Sequence, residues 1–310
     1  MYWYRHPEGN GNFGDELSPY LISRLTGLNL KYINVNLLGK SRWLAFKDLS
    51  YRLKVRNINL RCYLEYLVYI IIKPRVLLGI GSLLQSWTYD KAIVWGSGVL
   101  TSKGMLPEAN YLAVRGLHTV SRLREQGHRV SETIGDPAIL LPRIFPVQKG
   151  PKHRIGVVLH YFHQNRLKDK FHDDILIISL LDSIETILNQ INDCELVIST
   201  SLHGVIVSHT YGVKAIWAKY LKDDLNKGDD IKFYDYFSSV KIEPYQPIDI
   251  TGLYGKCPET IFDEVHNGFA KSLVPSREVI SKIQDGLIGS FPFKIIAPVS
   301  KNNPNGNTLP

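Results

Sequence analysis

The residues best suited to chemistry stand at the ends of short apolar runs. Ser199-Thr-Ser-Leu-His-Gly follows Leu196-Val-Ile and leads into a helical pattern, Gly204-Val-Ile-Val-Ser-His-Thr-Tyr-Gly. Ser199, Thr200 and Ser201 supply hydroxyls, and a helix beginning in the turn Ser201-Leu202-His203-Gly204 supplies unpaired N–H groups that favour an anion. His203 stands at the mouth of that turn, where an imidazole can exchange a proton near neutral pH. A lone histidine is more often structural, but these anion-binding neighbours favour a chemical role. His209 falls inside the helix and reads as a packed residue. His160 and His163 follow another apolar run, Arg154-Ile-Gly-Val-Val-Leu, and offer a further contribution.

Three more loops have the composition of anion sites. Gly11-Asn12-Phe-Gly14-Asp15-Glu places two glycines before a helical pattern at residues 17–25. Asp15 there is either a helix cap or an active-site carboxyl group, and residue type leaves both open. Gly79-Ile-Gly81-Ser82 and Trp95-Gly-Ser97-Gly end two other apolar runs, and such turns expose backbone N–H groups to phosphate or carboxylate. Glycine is also the default turn residue, and neither loop matches GxGxxG or GxxxxGK(S/T), so a dinucleotide or P-loop site has no support. Arg115, in Ala113-Val-Arg-Gly, has the planar fork for a bidentate anion contact at a strand end; the competing reading is a surface ion pair. No HExxH or comparable ligand spacing occurs, and Asp223-Asp224 and Asp229-Asp230 read as solvated acidic pairs, so no metal is expected.

These loops need strands to hold them. Apolar runs at 76–81, 92–98, 111–116, 133–137, 154–160, 195–201 and 214–218 each end in glycine or a polar turn, and each reads as a buried parallel strand. Helical patterns at 17–25, 119–126, 184–191 and 204–211 lie between them. This alternation predicts an α/β fold of two Rossmann-like, doubly wound domains facing a cleft. Ligands in such sheets bind beyond the carboxyl ends of the strands, where the loops above fall. Residues 142–152, rich in proline and basic side chains, are the predicted linker, dividing the chain into 1–145 and 146–299. A terminal helix is predicted over 275–288 with Ser276 as its cap, and the tail 300–310 is predicted to be disordered.

The 310 residues suit about two domains, and 44% hydrophobic with 21% charged residues is ordinary for a globular chain. Cys62, Cys194 and Cys257 are dispersed and odd in number, which suggests neither a disulfide framework nor a zinc site and reads as a reducing, cytoplasmic setting. The first residues lack the apolar core of a signal peptide. Residues 63–72 are apolar but include Glu65 and reach about half a membrane span, so they read as a buried helix or a helix–strand joint. The net charge of +8 is concentrated at residues 40–61, where basic and apolar residues interleave. Such a segment is either a solvated helix surface or a peripheral contact with the inner leaflet of a membrane. No nucleic-acid-binding module is present, so nucleic acid is not an expected partner.

In their order along the chain, Asn12-Phe-Gly-Asp, Gly79-Ile-Gly-Ser, Trp95-Gly-Ser-Gly, Val114-Arg-Gly, Ile134-Gly-Asp-Pro-Ala, Ser199-Thr-Ser-Leu-His-Gly and Lys232-Phe-Tyr-Asp-Tyr-Phe resemble the polysaccharide pyruvyltransferase family. The resemblance implies a two-domain, glycosyltransferase-B-like fold, with residues 1–145 on the acceptor side and 146–299 on the donor side. It implies transfer of the enolpyruvyl group of phosphoenolpyruvate onto a sugar of a bacterial exopolysaccharide or capsule repeat unit, as a cyclic ketal, with no cofactor. The acceptor would be a glycan or a lipid-linked oligosaccharide. By motif, Arg115 and the Ser201-Leu202-His203 turn would bind phosphoenolpyruvate, with His203 transferring a proton. Some relatives have an arginine where this chain has Ser201, so a second phosphate-binding cation is sought at Lys219, Lys232, Arg143 or Arg154. A sugar-nucleotide glycosyltransferase and a non-catalytic glycan-binding protein are the competing functions for the same scaffold.

Overall fold

A computed structural model describes residues 1–4, 12–55, 58–85, 89–147, 150–222 and 229–296. The predicted tail at 300–310 and the pair Asp223-Asp224 lie outside the described residues. The first half holds helices α1 (Phe13–Thr26), α2 (Val35–Leu38), α3 (Arg42–Lys54) and α4 (Leu60–Ile72), then strands β1 (Val76–Leu78), β2 (Ala92–Trp95) and β3 (Asn110–Ala113). Helix α5 (Leu117–Glu125) follows, then a 3-10 turn at Pro137–Leu140 running into α6 (Leu141–Ile144). The second half runs β4 (His153–Leu159), α7 (Tyr161–Leu167), β5 (Leu176–Ser179), α8 (Ile184–Asn192), β6 (Cys194–Ser199), α9 (Leu202–Thr210) and β7 (Lys214–Lys219). It ends with α10 (Ile231–Val240), β8 (Ile248–Asp249), α11 (Pro258–Phe269) and α12 (Arg277–Ser290).

Both sheets are wholly parallel, in the orders β1-β2-β3 and β5-β4-β6-β7-β8. The protein is therefore a mixed α/β fold with parallel sheets, as the alternation of apolar runs and helical patterns requires. Every residue of β2 is buried, as befits a strand covered on both faces. The larger sheet reverses its winding between β4 and β6. In one direction β4 leads to β5, and in the other β6 leads to β7 and β8. The carboxyl ends of β4 and β6 thus flank a topological switch point, the crevice in which open parallel sheets bind ligands.

The halves share one core. Leu77, Ile93 and Trp95 from the smaller sheet pack in a single cluster with Val158, Val197 and Trp217 from the larger, and α1 contributes Leu17, Leu21 and Leu25 between them. The C-terminal helix α12 crosses back to the smaller sheet: Trp95 Nε1 donates to the Leu287 carbonyl at 3.0 Å. Ser276 caps α12 by accepting from the Val279 N–H, as its sequence position predicts.

Four sequence expectations change. Residues 133–137 do not form a strand; Ile134 makes only an isolated bridge to Val114 before the chain enters the 3-10 turn at Asp136-Pro. Strands β5 and β8 were not foreseen, being short and less uniformly apolar. The predicted linker 142–152 begins inside α6, where Arg143 is buried, so only its later part is a connection. Residues 63–72 are helical but not buried: within α4 only Ile70 is fully enclosed. Arg143 explains much of the ordering at the junction. It donates through Nε to Gln284 Oε1 at 2.8 Å and through Nη2 to Asp285 at 2.7 Å, while Gln284 Nε2 donates to the Ile139 carbonyl at 2.7 Å. Gln284→Leu removes that acceptor and that donor in a buried setting. We expect it to cost about 1–3 kcal/mol in urea denaturation, the usual penalty for stranding buried polar groups.

Candidate functional site

The switch point is built from the loops after β4 and β6. His160 N–H donates to Thr200 Oγ1 at 2.7 Å, and Thr200 N–H returns to the Val158 carbonyl at 3.0 Å. Ser199 Oγ donates to the Ser201 carbonyl at 2.8 Å and accepts from the Ser201 N–H at 3.0 Å, with Gly204 packed against it. The sequence offered Ser199 and Thr200 as ligand-binding hydroxyls; in the structure both are committed to shaping the turn. Ser201, the N-cap of α9, makes no capping bond, which leaves the opening N–H groups of α9 to another acceptor.

A second helix start arrives at the same place. Phe13 N–H donates to the Leu180 carbonyl at 3.0 Å, docking the head of α1 beside β5. Asn12 caps α1 by accepting from Gly14 N–H, and its amide donates to Asp15 Oδ2. Gly14 is obligatory: a Cβ there would fall 2.3 Å from His203 Nδ1. Asn12, Gly14, Asp15 and His203 are therefore neighbours, as are Thr200, Ser201 and His160 at the adjoining turn.

The electrostatics of this corner split its titratable groups. Burial, then the positive charges of Arg115 and Lys232, push the His203 imidazole down to about 3, and its Nε2 is enclosed with no hydrogen-bond partner. Burial, Lys232 and His163 lower His160 to about 4. Asp15 moves the other way: burial and the neighbouring Glu16 raise its carboxyl to about 7, against the Asn12 hydrogen bond. Near neutral pH the site thus holds neutral imidazoles beside a carboxyl group whose proton affinity is raised. His209 is packed as expected, 1% exposed, with ring nitrogens facing Tyr236 Oη and the Ala215 carbonyl.

Arg115 is neither a surface ion pair nor an open clamp. It is fully buried, donating through Nε to Asp235 Oδ2 at 2.9 Å, through Nη1 to Ser82 Oγ at 2.6 Å and through Nη2 to the Val99 carbonyl at 2.6 Å. Asp235 also accepts from Thr119 N–H at 2.8 Å and Thr119 Oγ1 at 2.7 Å, so it caps α5 from α10. Gly116 makes the contact possible, since a Cβ there would lie 1.8 Å from the Asp235 carbonyl oxygen. The two glycine loops below are stitched together: Ser97 Oγ donates to the Gly81 carbonyl at 2.7 Å and accepts from Leu83 N–H at 3.2 Å. Gly81, Ser82 and Ser97 therefore hold Arg115 and each other.

Sequence reasoning did not single out Asp235, although it stands in Lys232-Phe-Tyr-Asp-Tyr-Phe. An acidic residue amid aromatic neighbours was the available signal. Asp136 was also missed: it is fully buried, its Oδ1 accepts from Ala138 N–H, its Oδ2 has no partner, and burial raises it to about 6. Of the candidate second cations, Lys219 bonds Asp230 at 2.7 Å, Arg143 bonds Gln284 and Asp285, and Arg154 bonds Glu195 at 2.8 Å. Lys232 is the one of the four whose charge is felt at both His203 and His160. No cluster of metal-ligating side chains occurs among the described residues.

A parallel α/β scaffold whose switch-point loops meet at an uncapped helix start is an arrangement that suits an anionic ligand. The sequence model of the polysaccharide pyruvyl transferase family matches residues 12–222, more than half the chain, and the protein belongs to that family. An uncharacterized protein of Acanthamoeba polyphaga mimivirus is 32% identical over 160 residues, covering 47% of this chain and 55% of that protein. The chain therefore aligns with about half the length of this relative. No solved structure matches.

Breaking the Arg115–Asp235 pair from one side strands a buried charge. Asp235→Ala is expected to lose about 3–5 kcal/mol by chemical denaturation, and a double variant Arg115→Met/Asp235→Leu to recover much of it. A single-variant loss below about 1 kcal/mol would mean that the pair does not organise the fold.

Proposed function

We propose that the protein transfers the pyruvyl group of phosphoenolpyruvate to two hydroxyls of a glycan sugar, as a cyclic ketal, with release of phosphate. The observation behind this reading is the convergence of the α1 and α9 starts on His203, a neutral imidazole under the charges of Arg115 and Lys232. The cationic field at that imidazole and the uncapped start of α9 suit the charge that phosphoenolpyruvate would bring. The acceptor belongs, on this reading, to a surface polysaccharide or its lipid-linked repeat unit. The two sheets would form donor and acceptor lobes, 146–299 and 1–145, in a glycosyltransferase-B-like arrangement.

The split in proton affinity assigns roles. Protonation of the methylene carbon makes a methyl group and leaves an oxocarbenium-like carbon. One sugar hydroxyl adds there, the bond to the phosphate oxygen breaks, and the second hydroxyl closes the ring. One hydroxyl proton replaces that given to the methyl group and the other leaves with phosphate. A bound anion raises the proton affinity of every group beside it. Asp15, already near 7, would then hold its proton and serve as the acid, whereas His203 would rise from about 3 toward the range in which it accepts a hydroxyl proton. The family resemblance gives proton transfer to His203; the half-buried, cation-flanked ring fits the base.

The sign of the pH dependence follows. Asp15 must be protonated in the free enzyme, so kcat/KM should fall as pH rises through about 7. Asp15→Asn should still bind phosphoenolpyruvate while kcat drops roughly 10²–10⁴-fold, with solvent deuterium no longer entering the ketal methyl group. Phosphate released only when glycan is present supports the function; a nucleoside diphosphate released from a sugar nucleotide would replace it with the glycosyltransferase reading. Gly14→Ala tests the geometry separately. The added methyl must displace the His203 ring, so activity should fall at least about tenfold while thermal stability changes by no more than a few degrees.

A further inference from the structure

Helices α3 and α4 pack on each other and turn Ala45, Leu49 and Ile70 into the second hydrophobic core, beside β1 and β2. Their outer faces consequently lie on one side of the molecule. On α4 that face carries an apolar stripe with Arg61 at its N-terminal end: Leu60, Leu64, Val68, Ile71 and Ile72 are all exposed, Leu64 by 53% and Ile71 by 61%. These positions fall at helical spacing within about a third of the helix circumference. On α3, Trp43 is 68% exposed and Tyr51 64%, and Lys47 Nζ lies 5.3 Å from the centre of the Trp43 ring. Apolar side chains this large, grouped on one face of two adjacent helices, mark a docking surface.

Charge identifies what docks. Residues 40–75 contain nine Lys and Arg against only Asp48 and Glu65, a surplus of seven in a chain whose net charge is +8. Asp48 is already bonded by Lys40 and Arg52, and Glu65 lies against Lys31 and Arg61. Arg42, Lys47, Lys54 and Arg75 form no ion pair among the described residues. A protein partner for the apolar stripe would not need this unopposed charge. An anionic bilayer needs both: aromatic and aliphatic side chains enter the headgroup boundary while lysines and arginines extend from the same helices to lipid phosphates. No described helix is long and apolar enough to cross a membrane, so the contact is with the surface.

We propose that the α3–α4 hairpin is a monotopic membrane-docking surface that seats the protein on an anionic leaflet. The sequence alone pointed to residues 40–61; the structure moves the apolar half of the surface onto α4, which sequence had placed in the core. The proposal is independent of the reaction, because neither helix supplies a residue to the His203 site.

The full-length protein is tested by co-sedimentation with phosphatidylcholine vesicles and with vesicles containing phosphatidylglycerol as well. Binding is expected to the anionic vesicles, to weaken as salt is raised, and to fall roughly five-fold for each charge removed in Lys47→Gln and Lys54→Gln. Leu64→Ser/Ile71→Ser should weaken binding even at low salt. Brominated lipid should quench tryptophan emission in the wild type and much less in Trp43→Phe. All four variants should keep wild-type phosphate release with a soluble acceptor, so failure here is separable from failure of the proposed function. Equal binding to neutral and anionic vesicles, or no binding to either, would overturn the proposal. So would self-association without lipid that Leu64→Ser/Ile71→Ser abolishes, since the stripe would then serve a second copy of the chain.

Discussion

The Arg115–Asp235 pair joins parts of the chain that lie 120 positions apart in sequence. Arg115 leaves the end of β3, Asp235 lies on α10, and the bonds they share reach Ser82, Val99 and Thr119. Burying two opposite charges is costly and is tolerated only when geometry satisfies the remaining donors and lone pairs. Both conditions hold: each partner is fully buried, and each has additional hydrogen bonds. The glycine loops after β1 and β2, the start of α5 and α10 meet at this contact, with Leu117 N–H donating to Ser238 Oγ and Val99 N–H to Thr119 Oγ1 beside it. Because α10 also presents Lys232, the pair sets where that cation stands relative to His203 and His160.

The same pair supplies part of the field at the site. Arg115 bears on His203 and Asp136 although it is enclosed, and its own countercharge lies on the far side of a hydrogen bond. The uncapped start of α9 adds its N–H groups at the same corner, whereas those of α1 are taken by Leu180 and Asn12. Burial and the charges of Arg115 and Lys232 keep the His203 imidazole neutral, whereas burial and Glu16, working against that field, raise the Asp15 carboxyl.

Close approach of backbone to side chain is the other constraint. Gly14 and Gly116 each stand where any larger residue would collide, the first with the His203 ring and the second with the Asp235 carbonyl. Neither contact is local in sequence. They let α1 meet α9 and let α5 meet α10, and those two meetings bring motifs from both halves of the chain into one corner. The shared hydrophobic cluster, with α1 between the sheets and α12 returned to the smaller one, holds that corner rigid.

Period and punctuation in the sequence were enough for the architecture. Buried runs such as Ala92–Trp95 and Cys194–Ser199 ending in polar turns, with helices between, admit few arrangements besides parallel sheets, and His203 after a strand and Asp15 at a helix start are visible as residue types. The family likewise follows from motif order. Short strands at sheet edges were not legible, because β5 and β8 bury too little to impose a pattern. Nor was the true environment of Arg115, whose partner lies 120 positions away. A charged residue beside glycine looks the same whether it meets solvent, ligand or a buried carboxylate. Helix α4 shows the converse: its residues are as apolar as a core helix, and only packing decides which face is covered. Sequence determined which groups are present and which element holds each; the tertiary structure decided which of them are spent on one another, because burial and charge pairing depend on neighbours the chain brings in from a distance.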